Sequence, residues 1–195
     1  MTTANKITLF RFIMIPIMVI ILYITPLRKI NTIFDMSLAT LLFAILFIIA
    51  SLSDFLDGYI ARKYNQVTTF GKFLDPIADK VLVFTALFYL LILSQDRVPL
   101  WTVVVIMTRE FMVTAIRLLA VEKNEVIAAS KWGKYKTATT MVAIIIMLFN
   151  DFGLAQINSN LIWIGNSIYY LAVFFTVFSG LDYFMKNKNV VLESI

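Results

Sequence analysis

Four aspartates carry the chemistry open to this chain. Asp54 and Asp57 are three residues apart, and Asp75 and Asp79 are four apart. On a helix, each spacing puts its two carboxylates on one face. Gly58 and Ala61 share the face of the first pair, Arg62 lies at its edge, and Gly71 stands one turn before Asp75. The segment between the two pairs, Lys63 to Phe70, is short, so the helices that carry them should be antiparallel neighbours with all four acids at one depth. Carboxylates gathered in this way repel one another. Either some hold protons or divalent cations sit between them. The chain has no cysteine and no histidine. That excludes a His/Cys zinc site, a haem histidine and a Ser-His-Asp triad, and leaves hard, oxygen-ligated ions such as Mg²⁺, Mn²⁺ or Ca²⁺. A pair of such ions among carboxylates is the arrangement of two-metal phosphoryl transfer. Gly58 and Gly71 let a ligand lie close to the backbone, and Arg62 is a fixed cation suited to a phosphate. With no histidine, base chemistry falls to carboxylates, lysines or tyrosines.

The elements that must position these residues cross a membrane. Of 195 residues, 61% are hydrophobic and only 15% charged, and the mean hydropathy is +0.87. That leaves too few polar side chains to cover a soluble core. Six apolar stretches predict six transmembrane helices: Ile7 to Ile24, Ser37 to Ala61, Phe73 or Pro76 to Leu93, Leu100 to Val121, Lys134 to Phe149, and Leu161 to Met185. Each approaches or exceeds the ~20 residues that cross the hydrocarbon layer. Thr25-Pro26 stops the first, which lacks a small-residue cleavage site and reads as a retained span. The expected fold is therefore all-α and polytopic, one membrane domain over residues 1–195. Of 17 lysines and arginines, 12 fall on the side of the termini and 3 (Arg28, Lys29, Arg97) opposite, with Arg109 and Arg117 inside a span. The bias puts both termini, and the aspartates near them, in the cytoplasm, so the polar cavity faces that side. It also accounts for the net charge of +5 without a nucleic-acid partner. Charges inside spans are costly. Asp54, Asp57, Asp75, Asp79, Arg109, Glu110 and Arg117 mark either a functional cavity or ion pairs that only fix packing.

The run Asp54-x-x-Asp57-Gly58-x-x-Ala61-Arg62, eight residues, Gly71-x-x-x-Asp75-x-x-x-Asp79 resembles the signature of the CDP-alcohol phosphotransferase family, with all eight fixed positions filled. The resemblance implies a lipid headgroup transferase that uses a CDP-linked lipid, two Mg²⁺ or Mn²⁺ ions and a homodimer. It implies that Asp54, Asp57, Asp75 and Asp79 ligate the metals and that Asp79 is also the general base. It places Gly58, Ala61, Arg62, Thr68 and Gly71 at the nucleotide. Asn5, Thr8 and Arg11 resemble the family's Asn-x-x-Thr-x-x-Arg run near the diphosphate; an interfacial helix start with ordinary polar residues reads the same way.

The acceptor is read from elsewhere. Thr108, Arg109, Glu110 and Arg117 on the fourth span, with Gly133 to Thr137 opening the fifth, resemble the family members that accept glycerol 3-phosphate. A phosphorylated acceptor needs cations, and Arg109, Arg117 and Lys134 can supply them; Lys134 is equally an ordinary cytoplasmic lysine. The implied reaction transfers the phosphatidyl group of CDP-diacylglycerol to glycerol 3-phosphate, giving phosphatidylglycerol phosphate and CMP, at an integral membrane site. The alternatives are another acceptor (inositol phosphate, serine or phosphatidylglycerol) or a divalent-cation or proton-coupled transporter, whose intramembrane acids bind the transported ion. Clustering of the acids at one end, with no inverted repeat, weighs against the transporter.

Overall fold

The computed structural model describes residues 3–63, 69–94, 96–123, 127–128, 130–158 and 161–192; the described side chains exclude those of 3–4, 54–63, 69–70, 72–73 and 155. Among the described residues the chain is all-helical, with one isolated bridge between Asn31 and Ser37. The long helices are α1 (Thr3–Tyr23), α3 (Leu38–Lys63), α4 (Thr69–Leu93), α5 (Leu100–Glu122), α6 (Lys131–Leu148) and α8 (Ile162–Lys186). Short helices α2 (Thr25–Lys29), α7 (Leu154–Ile157) and α9 (Lys188–Leu192) lie between or after them. All six long helices coincide with the apolar stretches. Among the described residues three are long and apolar enough to cross a membrane, along Asn5–Tyr23, Leu74–Leu93 and Ile162–Lys186, and α3 adds an apolar stretch, Leu38–Ser53, that ends where its described side chains end. Helices α5 and α6 are diluted by charge: Arg109, Glu110 and Arg117 in α5, and Lys131, Lys134 and Lys136 at the start of α6.

Proline acts differently at two places. Pro26 lies in the first turn of α2, where its missing N–H is not needed, and α1 ends just before, at Tyr23. An apolar stretch that begins at Phe73 or Pro76 puts Pro76 in the first turn of its helix. Instead α4 begins at Thr69, so Pro76 is interior and gives no N–H to the carbonyl four residues back.

The chain divides into two compact units. The first comprises Met1–Tyr89 and Ile145–Leu161, the second Leu90–Ile144 and Ile162–Ile195. In the first, α1 packs along α3. The buried positions of α1, namely 5, 8, 11, 14, 15 and 18, recur at helical spacing. The first three are polar and the last three apolar, so one stripe passes from a polar end into a core with Phe43, Ala44, Phe47 and Ala50 of α3. At the other end Thr40 Oγ1 and Tyr89 Oη bond at 2.6 Å, joining the start of α3 to the end of α4 and showing that the two helices are antiparallel. In the second unit α5 packs on α8, with Thr102 Oγ1 and Tyr169 Oη 2.6 Å apart and Val103, Ile106, Ala172 and Val173 buried. Helix α9 folds back on α5, where Lys123 Nζ donates to the Val190 carbonyl at 3.2 Å.

Candidate functional site

At the polar end of the first unit, α1 and α4 meet through two side-chain pairs. Thr8 Oγ1 donates to Asp75 Oδ1 at 2.6 Å, and Arg11 Nη1 donates to Asp79 Oδ1 at 2.6 Å. The donors are three residues apart and the acceptors four, so two parallel helices run in register, each offering one turn. Arg11 is fully buried, whereas 41% of the Asp79 side chain is exposed. A guanidinium taken out of water must be met by acceptors on several sides. Its Nε also donates toward α3, to the Ala50 carbonyl at 3.2 Å and Ser53 Oγ at 3.4 Å. Arg11 is therefore a buried tie between α3 and α4. Asp54 follows Ser53 directly on the same unbroken helix. Asn5 and Gly71 are buried as well.

Of the sequence-predicted donor residues, the structure brings together Thr8, Arg11, Asp75 and Asp79. Asp54, Asp57, Gly58, Ala61 and Arg62 have their backbone on α3, but their side chains lie outside the described ones, and Thr68 lies outside the described residues. Among the described residues no three acidic groups converge on an ion site. The donor set nevertheless fits a hard divalent cation: carboxylate oxygens one helical turn apart on α4, partly open, and each steadied by a donor from α1.

The second unit holds the basic cluster. Arg109 Nη1 donates to Glu110 Oε1 at 3.0 Å, and Lys136 Nζ of α6 donates to the same oxygen. The three side chains are 11%, 16% and 6% exposed. Two glycines make room for Arg109. A Cβ on Gly180 of α8 would stand 2.9 Å from Arg109 Cγ, and one on Gly133 of α6 would stand 3.6 Å from Arg109 Nη2. Gly133 is held by Ser130, the residue before α6, whose Oγ accepts the Gly133 N–H at 3.0 Å in an N-cap bond. Arg117 is exposed, donates from Nε to Tyr183 Oη at 3.3 Å, and lies with Cζ 5.7 Å from the centre of that ring. Arg109 and Arg117 thus meet α8 at Gly180 and Tyr183, one turn apart. Lys134 is exposed on α6, while Lys136, which the sequence did not single out, is the buried lysine. The available signal was Glu110: one acid within an apolar helix needs a cation from a neighbouring one.

The family described as CDP-alcohol phosphatidyltransferase matches residues 1–178. The CDP-diacylglycerol–glycerol-3-phosphate 3-phosphatidyltransferase of Bacillus subtilis (strain 168) is 44% identical over 192 residues, covering 97% of both chains. The protein of the same name from Rickettsia typhi is 38% identical over 186 residues (95% of this chain, 96% of the relative). That of Haemophilus influenzae is 33% identical over 193 residues (96% and 94%).

Proposed function

The chain belongs to the CDP-alcohol phosphatidyltransferase family, and on that premise we propose that it transfers the phosphatidyl group of CDP-diacylglycerol to glycerol 3-phosphate. The relatives that carry this activity in their names align over nearly the whole of this chain. The observation that carries the choice of acceptor is the cluster of two cations on one acid, Arg109 and Lys136 on Glu110, which leaves a positive charge among buried side chains. A phosphorylated acceptor answers that charge, while serine does not.

The protein is an integral membrane transferase with six spans, its cavity facing the cytoplasm, and works as a homodimer of single-domain chains. Asn5, Thr8, Gly58, Ala61, Arg62, Thr68 and Gly71 receive the nucleotide and diphosphate. Asp54, Asp57, Asp75 and Asp79 would hold two Mg²⁺ or Mn²⁺ ions, which when bound neutralise charge on the diphosphate. Thr8 and Arg11 keep Asp75 and Asp79 in place. Arg109, Arg117 and Lys134 hold the phosphate of the acceptor. Asp79 takes the proton from the primary hydroxyl of glycerol 3-phosphate. That oxygen bonds to the phosphorus bearing the diacylglycerol, and the bond from this phosphorus to the bridging oxygen breaks. CMP leaves with the bridging electron pair, beside Arg62. Orientation and preorganised charge supply the acceleration.

The test is purified enzyme with labelled CDP-diacylglycerol and a panel of glycerol 3-phosphate, inositol phosphate, serine and phosphatidylglycerol. Phosphatidylglycerol phosphate and CMP should form in equal amounts with the first only. Comparable turnover with serine or inositol phosphate would overturn the assignment.

A further inference from the structure

We infer that Glu110, anchored by Lys136, and Gly180 are positioning residues that aim Arg109 at the acceptor's phosphate, so that acceptor affinity is set by groups that do not touch the acceptor. The inference rests on the reading of Arg109 as a phosphate ligand. An arginine side chain has many rotamers, and a phosphate-binding fork is effective only if held in one of them. Here three groups fix it, two by contact and one through Glu110. Glu110 Oε1 takes Nη1 at 3.0 Å. Lys136, on another helix, takes the same oxygen and so prevents the carboxylate from swinging with the arginine. The missing side chain at Gly180 accepts the arginine stem, since a Cβ there would lie 2.9 Å from Cγ and 3.8 Å from Cβ of Arg109. Cγ is not a flexible tip, so filling the slot must move the guanidinium. Among the described residues no acceptor reaches Arg109 Nε, so the fork is not consumed by its supports.

The discriminating experiment is a double-variant cycle on the full-length purified enzyme, reading kcat and KM for glycerol 3-phosphate and for CDP-diacylglycerol. Arg109→Ala leaves the Glu110–Lys136 pair balanced and should fold. It should raise KM for glycerol 3-phosphate about 10- to 100-fold, the worth of a charged hydrogen bond. Gly180→Ala changes no charge. It should raise the same KM about tenfold, because displacement of a positioning group by a fraction of an ångström is costly, with KM for CDP-diacylglycerol unchanged. In the Arg109→Ala background Gly180→Ala should be silent, since the atom it strikes is gone. Glu110→Gln gives a test of sign. Loss of an acid beside a phosphate would by charge alone lower KM, whereas loss of aim raises it.

The outcomes separate cleanly. If Arg109→Ala leaves KM for glycerol 3-phosphate unchanged, the phosphate-ligand reading fails and takes this inference with it. If Arg109→Ala raises KM and Gly180→Ala does not, the ligand reading stands and the positioning role is overturned. Equal effects of Gly180→Ala in both backgrounds, or a lowered KM in Glu110→Gln, would also overturn it.

Discussion

Arg11→Lys tests whether one buried guanidinium ties two helices at the acid end. Arg11 donates to Asp79 at 2.6 Å on one side and to Ala50 and Ser53 at 3.2 and 3.4 Å on the other. An ammonium is a single point and reaches one side or the other. If it keeps Asp79, two long bonds are lost, each at the low end of the usual range, together about 1–2 kcal/mol. No orphaned group adds to this, because Ser53 Oγ still donates to the Ala50 carbonyl at 2.7 Å. If it keeps α3 instead, a charge-assisted bond is lost, but Asp79 is 41% exposed and recovers water. Screening then brings that loss down to about the same 1–2 kcal/mol. Either route lowers the melting temperature in detergent by about 2–8 °C for a chain of this length. Arg11→Met removes the bonds to Asp79, Ala50 and Ser53 but also the cost of burying a cation, so it should melt close to Arg11→Lys. Transfer activity, measured well below both melting points, should fall far more in Arg11→Met, where Asp79 has lost its cation. Wild-type melting of Arg11→Lys would refute the tie. Equal activity of the two variants would refute any influence of Arg11 on Asp79.

Two further perturbations address the same acids. Chelation should abolish transfer, Mg²⁺ or Mn²⁺ should restore it, and Thr8→Val, which removes the hydroxyl on Asp75 while keeping the shape, should need several-fold more ion in a titration of initial rate; superimposable titrations would detach Thr8 from the metal site. Asp79→Asn retains an oxygen for Arg11 and should fold, yet lose at least about 100-fold in transfer, read as CMP release; near-normal release would exclude Asp79 as the base.

What the sequence made legible follows the range of the interactions. Helical bounds depend on local apolar runs and proline, so α3, expected over Ser37 to Ala61, runs Leu38–Lys63, and α5, expected to Val121, ends at Glu122. The spacing of the aspartates is likewise local. Pro76 was misplaced because Thr69 to Phe73 holds too few apolar residues to announce a turn, and the helix starts there all the same. The partners of Arg11, 39 and 68 residues away, the burial of Lys136 on an acid 26 residues away, and the slot at Gly180 depend on contacts between separate helices. A glycine in an apolar helix and a lysine among three near the start of α6 carry no mark that separates them from their neighbours.

The two candidate clusters, not the units that carry them, differ in the sign of the charge they leave unmatched, and under the proposed function that difference fits their ligands. In the first, the motif aspartates Asp54, Asp57, Asp75 and Asp79 outnumber the two arginines of the matched motifs, Arg11 and Arg62, by two, with Lys63, Lys72 and Lys80 of the same helices outside the motif positions. Carboxylates gathered in this way call for cations, and two divalent ions overshoot the motif excess by the amount that a diphosphate restores. In the second, Arg109 and Lys136 share Glu110, and Arg117 and Lys134 add to the surplus. That cluster calls for an anion and has no means to bind a metal. Under the proposed function a nucleotide diphosphate taken up with its ions suits the first cluster, and a phosphate arriving bare suits the second. An unphosphorylated acceptor would leave the second surplus standing among side chains that are 6–16% exposed, where uncompensated charge is least tolerated.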